Sequence, residues 1–189
     1  METIGEQFFE TIGGLAIRFC SFSSTNTIEI LIENLEFTKN RRTIIQHILI
    51  TLVVCIAFNI IIYQNAILVA LNIVFFVTIA TKCYHLVKLI EFEKLHVIDG
   101  LSLQYTTKYC FGKRHTYIPI ECIHDIIINE VIFGFRTIYI LQVLTKGIQF
   151  QHQPVIPLLS ELNPRIACIH IIYNLLRKKI SNIEENRYS

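Results

Sequence analysis

Between Ile44 and Thr81 the chain carries no Asp, Glu, Lys or Arg, and all of its 17 basic and 15 acidic residues lie outside these 38 positions. A helix rises about 1.5 Å per residue and the hydrocarbon core of a bilayer is about 30 Å thick, so about 20 apolar residues make one crossing. Ile44 to Tyr63 supplies that length. Ala66 to Thr81 is shorter, roughly 24 Å, and lengthens through Tyr84, Leu86 and Val87 when Lys82 extends its ammonium to the head groups. As one unbroken helix the stretch is too long for a single crossing, and Gln64-Asn65 is the polar pair that interrupts it. The spacing predicts two membrane helices joined by a tight turn. The rival geometries are a hairpin that only dips into the membrane and an apolar segment buried in a soluble core.

The flanks orient the hairpin. Lys39, Arg41 and Arg42 precede it, Lys82 and Lys88 follow it, and the turn is uncharged. Positive flanks stay on the cytoplasmic side, which predicts both termini in the cytosol and Arg41, Arg42, Lys82 and Lys88 at the membrane interface. Asn59 and Asn72 lie inside the spans. An unpaired amide in hydrocarbon is costly, so the two are expected to face each other or a partner helix. His47, near the entry to the first span, reads as a neutral interfacial side chain.

Hydrophobic residues make up 52% of the 189 and mean hydropathy is +0.49, leaving room for one soluble domain of ordinary size. Residues 1–43 hold six acids and four bases, and residues 82–189 hold nine acids and thirteen bases. The second balance, +4, suits a domain beside anionic lipid and is too small to argue for nucleic acid. The six cysteines form no CxxC pair, as expected of free thiols in a cytosolic domain. Glu2, Glu6 and Glu10 stand where a cleavable signal needs positive charge, so insertion is expected to rely on the hairpin.

Residues 1–40 read as a cytosolic segment with a turn at Gly13-Gly14 and a strand over Thr27–Glu33. One or two strands here are expected to pair with the later domain, the alternative being an interfacial helix through Gln7–Ile12. After the hairpin (41–88) the period changes from helical to two. Leu95 and Val97, then Leu101, Leu103 and Tyr105, alternate across Asp99-Gly100, a β-hairpin signature. Tyr117–Ile120 is a short strand that Pro119 places at an edge or an end. Ile123–Val131 and Thr137–Leu144 are strands around Phe133-Gly134-Phe135. Ile148–Gln151 alternates again, and Val155–Leu159 offers an edge strand. Asn163-Pro164 then starts a helix, with Asn as cap and Pro at the first position. Ile166, Ile169, Tyr173, Leu176 and Ile180 line one face of it, opposite His170, Asn174, Arg177 and Ser181. The β domain is thus expected over 89–181 and a frayed tail over 182–189. The fold class is an α+β membrane protein, a transmembrane helical hairpin followed by an antiparallel β domain that resembles a pleckstrin-homology-like (PH-like) fold, with a C-terminal helix.

Catalytic constellations are missing from the pattern. Asp125 and Glu130 are five apart on a strand and so point to opposite faces. Cys122 and His124 lack the two further ligands that zinc needs. Neither GxGxxG nor GKS/T occurs, and the chain has no room for a nucleotide-sugar site on a large α/β scaffold. No cofactor or metal is expected. Asn129-Glu130 either closes its strand or meets a partner. Lys113-Arg114-His115 and Arg177-Lys178-Lys179 are solvated runs or contacts for anionic head groups, and Ile138–Leu144 offers a strand edge to a protein.

Glu93-Lys94-Leu95-His96-Val97-Ile98-Asp99-Gly100-Leu101-Ser102-Leu103-Gln104 opens a longer resemblance. It continues through Tyr117-Ile118-Pro119-Ile120, Ile123–Ile132 with Asn129-Glu130, Tyr139, Leu141, Phe150, Pro164-Arg165 and Tyr173. This set resembles the PIG-H family, the H component of phosphatidylinositol N-acetylglucosaminyltransferase. The resemblance covers roughly half of the chain, and a preceding membrane hairpin fits it. It implies an accessory subunit of the complex that moves N-acetylglucosamine from UDP-N-acetylglucosamine to phosphatidylinositol. This is the first step of glycosylphosphatidylinositol (GPI) anchor synthesis, on the cytosolic face of the endoplasmic reticulum. It also implies a catalytic partner, PIG-A, and further subunits, with Asn129, Glu130, Tyr139, Pro164 and Arg165 as partner-binding candidates. The alternative is a hairpin-anchored module that binds phosphoinositide.

The topology has a direct check. A glycosylation tag inserted between Gln64 and Asn65 is expected to be modified, and tags at either end are expected to stay unmodified. Modified ends would refute the orientation.

Overall fold

Period-two alternation dominates the chain outside the charge-free stretch, and strands follow from it. The computed structural model of the protein describes residues 2–61, 66–134 and 136–188. These divide into a β unit (residues 1–35, 90–108 and 113–189) and a helical unit (36–89 with 109–112).

In the β unit, six strands form one antiparallel sheet in sequence order: β1 (Glu2–Glu10), β2 (Ala16–Ser23), β3 (Thr27–Asn34), β4 (Ile90–Ile98), β5 (Ser102–Tyr109) and β6 (Lys113–Pro119). Three more form a second sheet: β7 (Ile123–Phe133), β8 (Arg136–Thr145) and β9 (Val155–Leu158). One face of each alternation goes inward. Ile17 and Phe19 on β2, Ile30 and Ile32 on β3, Leu95 and Val97 on β4, Leu103 on β5 and Ile118 on β6 join Leu141, Val143 and Leu158 in one core. The turn at Asp99-Gly100 forms as the sequence predicts, with Gly100 at φ +68°, a left-handed geometry that suits glycine. β6 is an edge strand that ends at Pro119, where a missing N–H costs no ladder bond.

Helix α3 (Ile166–Tyr188) packs against β7 and β8. Its buried stripe is Cys168, Ile169, Ile172 and Leu176, with Tyr173 and Ile180 half-buried, whereas Ile166 is exposed. The stripe is therefore turned slightly from the predicted face. Lys179 near its later half bonds Asp99 Oδ2 at 2.7 Å and Thr25 O at 3.2 Å, which ties α3 to two turns of the larger sheet.

Three local expectations are corrected. Residues 2–34 hold three strands, of which β3 pairs with β4 of the later domain as expected, but Gln7–Glu10 is strand, not interfacial helix, because it pairs with Ala16–Phe19. Ile148–Phe150 is a single 3-10 turn. The edge of β8 that a strand there needs is taken by β9, which pairs Leu141–Leu144 with Val155–Leu158. Asn163-Pro164 does not begin α3. Asn163 sits at φ +47° and accepts the Ile12 N–H at 2.9 Å, and Pro164 bridges Thr11. Pairing with the end of β1 thus wins over capping.

In the helical unit, α1 (Phe37–Ile61) and α2 (Ala66–Lys88) are long and apolar enough to cross a membrane. The predicted turn at Gln64-Asn65 lies outside the described residues. Neither span is buried within the protein, and exposed side chains such as Val53 and Phe76 face outward, the pattern of a helix that is apolar all round. Polar groups are satisfied internally. Asn59 Nδ2 donates to Asn72 Oδ1 at 2.9 Å and Asn72 Nδ2 returns a bond to Asn59 Oδ1 at 3.0 Å. Thr43, Thr51, Thr78 and Thr81 each donate to a carbonyl of their own helix. The facing amides anticipated from sequence are therefore present, beside a Phe58–Phe75 contact at 6.1 Å.

Asn59→Leu orphans the Asn72 amide and is expected to lower unfolding free energy in detergent by about 1 kcal/mol. The double leucine variant is expected to recover part of that loss. Equal losses in the single and double variants would contradict reciprocal pairing.

Candidate partner-binding site

The partner-binding candidates fall into two groups. Glu130 on β7 and Tyr139 on β8 are register partners, and the Tyr139 hydroxyl donates to Glu130 Oε1 at 3.4 Å. Asn129 is exposed and pairs with Ile140. Successive residues alternate faces, so Asn129 and Glu130 point to opposite sides of the smaller sheet. The second group lies at the start of α3. Pro164 is buried against Thr11, and Arg165 pairs with Glu10 through its side chain at 2.7 Å.

A cleft of about 330 Å³ is lined by Ile12, Gly13, Arg136, Ile138 and Asn163. Arg136 and Ile138 stand on β8 just before Tyr139, and Asn163 immediately precedes Pro164. The cleft thus adjoins a member of each group. Its walls are apolar apart from one cation and one amide, a composition suited to a protein segment. Sequence reasoning missed it because the β1–β2 turn, the start of β8 and the β9–α3 connection are far apart in the chain.

The second omission is Glu93. It is fully buried on β4. Tyr105 on β5 donates its hydroxyl to Oε1, and the Leu162 N–H donates to Oε2 at 3.0 Å. Burial pushes the carboxyl above the usual carboxylate range, against the pull of the Tyr105 bond and of the Leu162 and Glu161 backbones. The same burial, with the carboxyl beside it, raises the Tyr105 phenol far above its ordinary value. Glu93 thereby fixes Leu162, the neighbour of the cleft residue Asn163. The signal was present in the sequence, since Glu93, Leu95 and Val97 share one strand face.

A second depression of about 240 Å³ lies beside α3 and includes His124, Asp125 and Arg177. Asp125 spends an oxygen on the Ile126 N–H at 2.7 Å. Among the described residues no three His, Cys, Asp or Glu side chains gather as a metal site. The interface candidates Arg41, Arg42, Lys82 and Lys88 are all exposed on the helical unit.

Residues 94–158 match the family model "GPI-GlcNAc transferase complex, PIG-H component". This stretch is similar to the PIG-H component. The match begins one residue after Glu93 and ends with β9, so it spans the six strands that follow the helices. Asn129, Glu130 and Tyr139 lie inside this PIG-H match, and Pro164 and Arg165 lie beyond it. The chain is 35% identical over 101 residues to the H component of phosphatidylinositol N-acetylglucosaminyltransferase from Mus musculus, 52% of this chain and 53% of that protein. It is 37% identical over 92 residues to the same component from Homo sapiens, 47% of this chain and 48% of that protein. The similarity thus spans about half the length of the curated relatives. No solved structure matches the chain.

Glu93→Ala leaves the Tyr105 hydroxyl and the Leu162 N–H without their acceptor in the core. It is expected to cost about 3 kcal/mol in denaturant unfolding of the full chain in detergent. Because the folded-state carboxyl is raised, its contribution is complete below the ordinary carboxylate range and is lost as pH rises through the raised value. Glu93→Gln has the shape of the protonated acid and is expected to retain most of the stability while flattening that pH dependence. An unchanged pH profile would contradict the upward shift of Glu93.

Proposed function

We propose that this chain is a non-catalytic accessory subunit of the GPI N-acetylglucosaminyltransferase complex. It is anchored in the endoplasmic reticulum membrane by α1 and α2 and presents its β unit to the catalytic subunit PIG-A on the cytosolic side. The observation that carries this reading is the PIG-H match over β4–β9, directly after two helices of membrane-crossing length. The relatives bear the name of a subunit of phosphatidylinositol N-acetylglucosaminyltransferase.

The fold supports placing both ends of the hairpin on one side of the membrane by a route separate from the charge rule. β3 and β4 pair antiparallel from Thr27↔Ile98 to Glu33↔Phe92, and Asn34 Nδ2 donates to Ile90 O at 3.0 Å where the chain departs and returns. The inserted helices therefore leave and rejoin one sheet, which requires an even number of crossings. Positive flanks put that side in the cytosol. Strands β3–β6 and β7–β9 followed by α3 also support a PH-like reading of the β unit, with β1 and β2 as added strands.

The cleft between Ile12, Gly13, Arg136, Ile138 and Asn163 is the surface that this reading assigns to the catalytic subunit. Gly13 offers a steric test, because an added Cβ meets only Thr11 Oγ1 at 3.7 Å and the backbone there is not left-handed. A tagged full chain purified in detergent is expected to recover a glycosyltransferase subunit. Gly13→Trp, which fills the cleft, and Arg136→Glu, which reverses its charge, are each expected to reduce that recovery several-fold without changing the unfolding midpoint. Purification of the chain alone would overturn the accessory role, and full recovery with both variants would overturn this use of the cleft.

A further inference from the structure

The turn between β5 and β6, Tyr109-Cys110-Phe111-Gly112, belongs to the helical unit rather than to the strands it joins. One contact explains why. The Cys110 N–H donates to Leu89 O at 2.8 Å, one residue past the end of α2. The Tyr109 N–H closes the turn on Gly112 O at 3.1 Å, and Gly112 lies at φ +92°, where any other residue would be strained. The tip thus has a fixed shape and a fixed attachment to the helix end. Its apex residue, Phe111, is 61% exposed.

The neighbouring part of α2 has the character of a membrane interface. Tyr84 and Val87 are 56% and 52% exposed, and the Lys88 ammonium lies 4.7 Å from the centre of the Tyr84 ring. Aromatic rings flanked by lysines are enriched where hydrocarbon meets head groups. Leu89 follows within one residue and holds Cys110. An exposed Phe on a pinned turn suits the same interfacial depth as this aromatic and lysine pair.

We propose that Phe111 inserts into the bilayer interface, so that the β5–β6 turn is a third membrane contact beside the two helices. The occupant of this surface is lipid, because the exposed Phe is held by a hydrogen bond to the residue that follows α2, whose last turn exposes Tyr84 and Val87 beside Lys88. This inference rests on the membrane reading of α1 and α2. A rigid wedge at this point limits rotation of the hairpin about its own axis, which two helices alone leave free.

The chain contains no tryptophan, so a single introduced indole reports without background. Full-length Phe111→Trp and Val53→Trp are reconstituted separately into phosphatidylcholine vesicles whose acyl chains are brominated either near the head group or near the chain end. Phe111→Trp is expected to emit at blue-shifted wavelength and to lose more intensity with the shallow bromines. Val53→Trp, at the middle of the Ile44–Tyr63 span, is expected to lose more with the deep ones. If Val53→Trp is quenched while Phe111→Trp emits as a water-exposed indole, the wedge is refuted and the helices remain in the membrane. A blue-shifted but unquenched Phe111→Trp also refutes it, since the ring then rests against protein. If neither indole is quenched, the membrane reading of the helices fails, and this inference with it.

Discussion

A carboxyl group removed from water is tolerated only where hydrogen bonds replace its solvation. Glu93 meets that condition with a phenol from β5 and a backbone N–H from the connection that follows β9. The larger sheet supplies the acid and the phenol. The second donor comes from a segment that leads out of the smaller sheet and into α3. One side chain therefore fixes where the connection from β9 to α3 must lie, and with it the position of Asn163 and the rim of the cleft.

The helical unit solves a related problem differently. Its hydroxyls turn back onto their own helices, and its two asparagine amides satisfy each other across the pair. What remains outward is hydrocarbon. Such a pair needs no water along its length and is the kind of segment that a bilayer accepts. The charged residues gather at one end of it, with Arg41 and Arg42 on α1 and Lys82 and Lys88 on α2.

Local chemistry made some of this legible in the sequence. The helices follow from the absence of charge between Ile44 and Thr81, the Asp99-Gly100 turn from its dipeptide, and the Asn59–Asn72 pair from the cost of an isolated amide. Features set by distant parts of the chain were harder to read. Asn163-Pro164 has the chemistry of a helix start but is captured by the end of β1. Ile148–Gln151 alternates like a strand but finds the edge of β8 already occupied. The cleft draws on three segments, and nothing within any one of them marks it. Glu93 was readable from its parity with Leu95 and Val97, and it shows that an acid on an inward strand position should be weighed as a core residue before it is assigned to the surface.

The pairing of β3 with β4 has a consequence for biosynthesis. These strands adjoin in the sheet but are separated in the chain by the whole helical insert. A ribosome releases β1 to β3 first, and β3 then carries a row of unpaired backbone donors and acceptors until β4 emerges. The sheet cannot be completed before both helices have been made and the polypeptide has come back. Completion of the sheet thus waits on synthesis of the whole insert, and a molecule whose chain fails to return exposes an open strand edge that quality control can recognise.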